Sequence, residues 1–214
     1  MNMSLLHDAT FCAMYVSAAI VTLVIVERLI FYGYTLRSAR ALEATLTRET
    51  LASGGLPLGV DGKAQSIPAA AIRQMLDERA SYRSRDDIED MSSAIFVASK
   101  AKLEHHLWIL DTVVTAAPLM GLLGTILGII DTFTALAQSG ISDPQGVAAG
   151  IGTALFATAL GITIALYGLV FLNHFRDRVE RIADHLKILL LRAAMGVAAP
   201  AAAPLARSPA RAAA

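Results

Sequence analysis

Residues 115–133 read TAAPLMGLLGTILGIIDTF and residues 150–165 read GIGTALFATALGITIA. The first stretch sits in a window from Thr112 to Ile130 that carries no charged side chain and is bounded by Asp111 and Asp131. The second sits in a longer window, Pro144 to Phe175, without Asp, Glu, Lys or Arg. A helix that crosses the hydrocarbon core of a bilayer needs about 20 mostly apolar residues. As a helix, the 112–130 window is about 28 Å long, roughly one hydrocarbon thickness. Asp111 and Asp131 then fall at its edges, where a carboxylate reaches water; at the centre it would be costly. A third window, Ala9 to Val26, lies between Asp8 and Glu27.

Three such windows predict an all-α integral membrane protein with three transmembrane helices and long helical extensions. The composition agrees: 55% of residues are hydrophobic and 17% charged, against about 25% charged in soluble domains. The first window is read as a retained helix, because MNMSLLHD before it lacks the basic residues of a signal peptide and ERLIFYGY after it lacks a small-residue cleavage site. Net charge is zero, with 18 basic and 18 acidic residues, which argues against a nucleic-acid partner. The single cysteine, Cys12, excludes an intrachain disulfide and reads as a buried, inert thiol.

The basic residues orient the chain. Eleven lie between Arg28 and Lys102 and seven between Arg176 and Arg211, and the N-terminal tail and the 137–149 connection have none. Lys and Arg collect on the cytoplasmic side, so the expected N-terminus is periplasmic, or external, and the C-terminus cytoplasmic.

The expected organisation is a periplasmic N-terminus with the first spanning helix (1–34), a cytoplasmic helical region (35–106), the second and third spanning helices (107–175), a cytoplasmic helix (176–196) and a disordered Ala/Pro-rich tail (197–214). Residues 52–68 read as a Gly/Pro-rich loop. From Ala69 to Ala117 neither Gly nor Pro occurs, so the second spanning helix is expected to begin well outside the membrane as one long amphipathic helix. Ile72, Met75 and Leu76 form one apolar stripe; Ile88, Met91, Ile95 and Ala98 form another; Val179, Ile182, Leu186 and Leu189 form a third. These extensions should pack on each other and on neighbouring subunits. His105 and His106 are adjacent and would point apart on a helix, unlike metal ligands at i and i+4. No metal or cofactor is expected.

Helices in lipid associate through small residues and interhelical hydrogen bonds. The second helix places Gly121, Thr125, Gly128 and Thr132 on one face, and Gly124 with Gly128 makes a GxxxG pattern. The third places Gly150, Ala154, Thr158, Gly161 and Ala165 on one face. Thr125 lies sixteen residues before Ile141 and Thr158 seventeen after it, so antiparallel helices bring both hydroxyls to one depth. Pro118 removes a backbone bond and can kink the second helix. The same pattern suits plain tight packing, with the hydroxyls satisfied on their own backbones. None of the windows has Asp, Glu, Lys, Arg or His at mid-depth, so a proton route needs a group from a partner, or Glu27, Asp111 or Asp131 acting from the edges.

The run 115–133, with its small residue, Ala-Pro, Gly-Leu-hydrophobic-Gly-Thr and Gly, resembles the second spanning helix of the ExbB/TolQ/MotA proton-channel family. The run 150–165 resembles the third helix, and Glu27 to Leu29 the cytoplasmic end of the first. The likeness covers residues 9 to about 190 and is closest to ExbB. It implies a homo-oligomeric ring, a pentamer, in the bacterial inner membrane. Within it would stand a single-helix partner of the ExbD/TolR kind, whose intramembrane aspartate takes up and releases protons. Thr125 and Thr158 match the threonines facing that aspartate, with Thr153 along the same wall. Proton flow would drive rotation, passed to a TonB- or TolA-like protein; the chain itself would not be an enzyme. Many relatives have a glutamate where this chain has Thr153 and a proline where it has Tyr167, which leaves the titrating carboxyl to the partner. A TolQ-like role in the cell envelope and a passive membrane scaffold are the other readings.

Overall fold

The computed structural model describes residues 3–45, 66–78, 84–139 and 144–195. The expected disordered tail at 197–214 and most of the expected 52–68 loop lie outside the described residues. Five helices run through them: α1 (Met3–Thr45), α2 (Ile67–Glu78), α3 (Arg85–Glu104), α4 (Leu107–Ser139) and α5 (Pro144–Met195). No strand occurs among the described residues. Three helices contain stretches long and apolar enough to cross a membrane: His7–Leu42 in α1, Leu107–Ala137 in α4 and Pro144–Ala194 in α5. The protein is an all-α, multi-pass membrane protein.

The chain divides into two compact units, one drawn from Met1–Gly33 and Leu103–Glu180, the other from Tyr34–Lys102 and Arg181–Ala214. In the first, α1, α4 and α5 pack through Met14, Ala117, Ile164 and Ala165, with Ala18, Val113, Met120 and Leu160 against them. Large apolar side chains elsewhere on these helices point outward, Leu23, Ile30, Leu119 and Val170 among them. An apolar exterior of this extent is a liability in water and suits lipid or neighbouring subunits.

In the second unit, Leu42 of α1, Ile72 and Met75 of α2, Met91 and Ile95 of α3, and Leu186, Leu189 and Leu190 of α5 form one buried cluster. Ser66 opens α2, its carbonyl accepting from the Ala70 amide at 3.0 Å; its hydroxyl lies 2.7 Å from that of Ser38. Pro68 therefore falls in the first turn, where its missing N–H costs nothing, and the helix starts inside the span expected to be loop. Ser84 opens α3, its hydroxyl accepting from the Asp86 amide at 3.3 Å, and Asp86 and Asp87 favour the positive end of the helix dipole.

Three expectations are corrected. A continuous helix from 69 to 117 does not form: α3 ends at Glu104, His105 and His106 make a turn, and α4 begins at Leu107. Side chains of α1 contact both sides of the break, Tyr32 at Leu103 and Arg28 at His106. Cys12 is exposed, because the inward stripe of α1 runs through Met14, Val21, Ile25, Arg28 and Tyr32 and Cys12 lies off it. Ala98 is exposed, and the stripe of α3 continues instead through Ser99 and Leu103, both buried.

Candidate functional site

The seam between α4 and α5 is built from side chains too small to hold the backbones apart. A Cβ placed on Gly161 would lie 2.5 Å from the Ala117 carbonyl oxygen and 3.0 Å from the Gly121 Cα; one on Gly121 would lie 2.9 Å from the Ala157 carbonyl oxygen. Only hydrogen at both positions permits this approach. Further along, a Cβ on Gly124 would meet the Ala157 Cβ at 2.8 Å, and one on Gly128 would meet the Ala154 Cβ at 2.9 Å. The Thr132 side chain fills the space beside Gly150, and its hydroxyl donates to the Gly128 carbonyl at 2.7 Å. Pro118 sits half-buried within α4, which runs on past it.

Thr125 and Thr158 meet in this seam, both half-buried. Their hydroxyls are hydrogen-bonded to each other. Thr125 is also within reach of the Gly121 and Ala154 carbonyls, both at 3.1 Å, and Thr158 of the Gly121 carbonyl at 3.3 Å. Two hydroxyls carry two protons and several lone pairs. The acceptor positions around the pair outnumber its protons, so each hydroxyl has alternative partners within a small rotation. The pair can donate to a carboxylate or accept from a carboxylic acid. It has no group of its own that holds a proton near neutral pH.

The other expected site residues lie elsewhere. Thr153 is exposed and its hydroxyl donates to its own helix, to Ala149 at 3.0 Å. Asp111 accepts from Arg176 at 2.9 Å, both side chains more than half exposed. Glu27 pairs with Arg28 at 2.7 Å, and Asp131 is exposed near the far end of α4. No edge carboxylate reaches the threonine pair.

Sequence reasoning missed three contributors. Ala157 is fully buried and lies against Gly121 and Gly124; as alanine among alanines it carries no distinguishing signal. The start of α1 covers the α4 glycines, with Thr10 beside Gly124 and His7 beside Gly128. The His7 Nδ1 is buried and has no hydrogen-bond partner among the described residues. Third, Arg28 is buried at the other end of α1, 3% exposed. Its neighbour Glu27 and the rings of Phe31 and Tyr32 are close in sequence, but its contact with His106 comes from 78 positions away and has no local signal.

Comparison with known proteins fits this arrangement. Residues 63–188 match the MotA/TolQ/ExbB proton channel family. The chain is 30% identical over 128 residues to a biopolymer transport protein ExbB homolog of Methanothermobacter thermautotrophicus, covering 60% of this chain and 44% of that one. It is 40% identical over 91 residues to biopolymer transport protein ExbB of Aquifex aeolicus, covering 40% and 62%. It is 38% identical over 96 residues to Tol-Pal system protein TolQ of Pseudomonas aeruginosa, covering 44% and 42%. The chain thus spans about half the length of the curated relatives it matches. With its three apolar helices and a family match over more than half its residues, the chain belongs to the MotA/TolQ/ExbB proton channel family.

Proposed function

We propose that this protein is the ring-forming, ExbB-like subunit of a proton-driven motor in the bacterial inner membrane, with its N-terminus periplasmic and its C-terminus cytoplasmic. In this reading a homopentamer surrounds a single-helix partner of the ExbD/TolR kind, and the work reaches the outer membrane through a TonB-like protein.

The hydroxyl pair of Thr125 and Thr158 is the observation that carries the reading. A wall of re-orientable hydroxyls, with no carboxyl or imidazole hydrogen-bonded to it among the described residues, is suited to exchanging hydrogen bonds with an acidic side chain supplied by another helix. Such a guest aspartate is costly in lipid when ionised and cheap when protonated. Hydroxyls that donate to the first form and accept from the second lower the difference between them. Thr153, exposed on α5, adds a hydroxyl facing outward from the single chain.

The test is proton flux in vesicles containing this chain with its single-helix partner. Thr125→Val with Thr158→Val keeps size and removes both hydroxyls. Expected is assembly at the same stoichiometry by native mass measurement, with flux reduced about tenfold or more, equivalent to about 1.4 kcal/mol or more at the barrier. Unchanged flux would leave the seam as packing and the protein as a scaffold.

A TolQ-like role in the Tol-Pal system is supported by the likeness to a TolQ of comparable identity. Co-purification of a TolA-like rather than a TonB-like protein with the assembled complex would select it.

A further inference from the structure

We propose that His106 is a pH-sensitive latch on the joint between α3 and α4, closed by the buried Arg28 when the imidazole is neutral and opened when it is protonated. The inference does not depend on the motor reading.

Arg28 is 3% exposed. A guanidinium offers five N–H donors, accepts nothing and stays charged. Its Nε lies 2.7 Å from a Glu27 carboxylate oxygen, and its plane sits over Phe31, at 4.8 Å from the ring centroid, and Tyr32, at 5.7 Å. Its Nη2 is hydrogen-bonded to the His106 Nδ1. Nδ1 accepts only when it carries no proton, so the contact requires neutral imidazole with its hydrogen on Nε2. Protonation removes the acceptor and sets two cations together in a poorly solvated site.

The element being latched joins two helices across a turn at His105–His106 that contains no helix-breaking residue. From Ser84 to Ala117 the chain contains neither Gly nor Pro, and local preference is for one continuous helix. The break at His105–His106 is held from α1 on both sides. Tyr32 donates its hydroxyl to the Leu103 carbonyl at 2.8 Å, in the last turn of α3, and Arg28 takes His106 itself. On the α4 side the His106 carbonyl accepts from the Ile109 amide at 3.3 Å. Release of His106 leaves Tyr32 alone against the propensity for continuous helix.

The surrounding charges come from every element at this level. Glu27 and Arg28 lie on α1 with Tyr32, Glu104 closes α3, and the His105 ring stands perpendicular to that of His106 at 4.7 Å. Asp111 of α4 is paired with Arg176 of α5. On α5, Phe175 packs on Tyr32, and His174 accepts from Arg178 at 3.4 Å.

Trp108 is the only tryptophan of the chain, is exposed and follows the joint by two residues, so its fluorescence reports on the break. The full chain in lipid nanodiscs is titrated from about pH 8 to about pH 5, across the ordinary imidazole range. Expected is one reversible transition in Trp108 emission. His106→Asn keeps an acceptor near the Nδ1 position and cannot titrate; it should lose the transition. His105→Gln, at an exposed position, should keep it. A flat wild-type titration, an unchanged transition in H106N, or loss of the transition in H105Q would each overturn the latch. The first and third outcomes decide the matter even if H106N does not insert.

Discussion

The α4–α5 seam and the cluster of the second unit are held by opposite kinds of side chain. The seam is glycine, alanine and threonine, with backbones close enough that a single added methyl would collide with a carbonyl. The cluster is mainly leucine, isoleucine and methionine from four helices, with Ala69, Ala71 and Ala193 among them. The hydrophobic effect acts only where burial removes surface from water. Between helices in lipid an aliphatic side chain gains nothing by leaving acyl chains, so contact is won by close packing and by interhelical hydrogen bonds. Each region uses the side chains that its solvent rewards.

The comparison can be broken or sharpened by substitution. The largest effect is expected in the cluster: Leu186 is fully buried, and Leu186→Ala should cost about 2–5 kcal/mol, read as a shift in the urea midpoint of the purified protein. A cost below that of seam variants would break the contrast. Next comes Gly161→Val, whose Cβ would strike the α4 backbone. Overpacking of this kind costs about 1–3 kcal/mol, and because backbone must move, the loss should appear in resistance to SDS unfolding in bilayers. Leu186→Ala should leave that resistance nearly unchanged.

Smaller again is Thr125→Val, measured for stability alone. Interhelical hydrogen bonds in membranes average about 0.6 kcal/mol, so the variant should remain folded while flux through the assembled complex falls. A stability loss comparable to that of Gly161→Val would make the hydroxyl structural. The smallest effect is expected for Asp111→Asn. Its pair with Arg176 is more than half exposed on both sides, and such pairs contribute about 0.2–1 kcal/mol, less in high salt. A larger loss would mean that neighbouring subunits bury this corner.

Much of the architecture was legible from residue order. Three uncharged windows mark the spanning helices, because a charge at the bilayer centre is too costly to occur by accident. The seam was legible because small residues at spacings of three and four lie on one helical face: Gly121, Thr125, Gly128 and Thr132 meet Gly150, Ala154, Thr158 and Gly161 where antiparallel geometry puts them. Periodicity also marked Ile72, Met75, Met91, Ile95, Leu186 and Leu189 as inward-facing, and all are buried.

Tertiary structure decided the rest. Which flank of α1 turns inward depends on what α4 and α5 present to it, so Cys12 faces out while Thr10 and Met14 face in. Thr153 shares its helix with Thr158 yet is exposed, since the phase of α5 against α4 is set by the glycine crossing at residues 121 and 161. The break at His105–His106 has no glycine or proline to signal it; a buried guanidinium and a tyrosine hydroxyl from α1, distant in sequence, contact its two sides. Sequence determined where helices form and which faces can approach, because solvation and periodicity are local properties. The partners of each polar group on those faces were decided by the fold, because a hydrogen bond is satisfied by whatever atom the packing brings within reach.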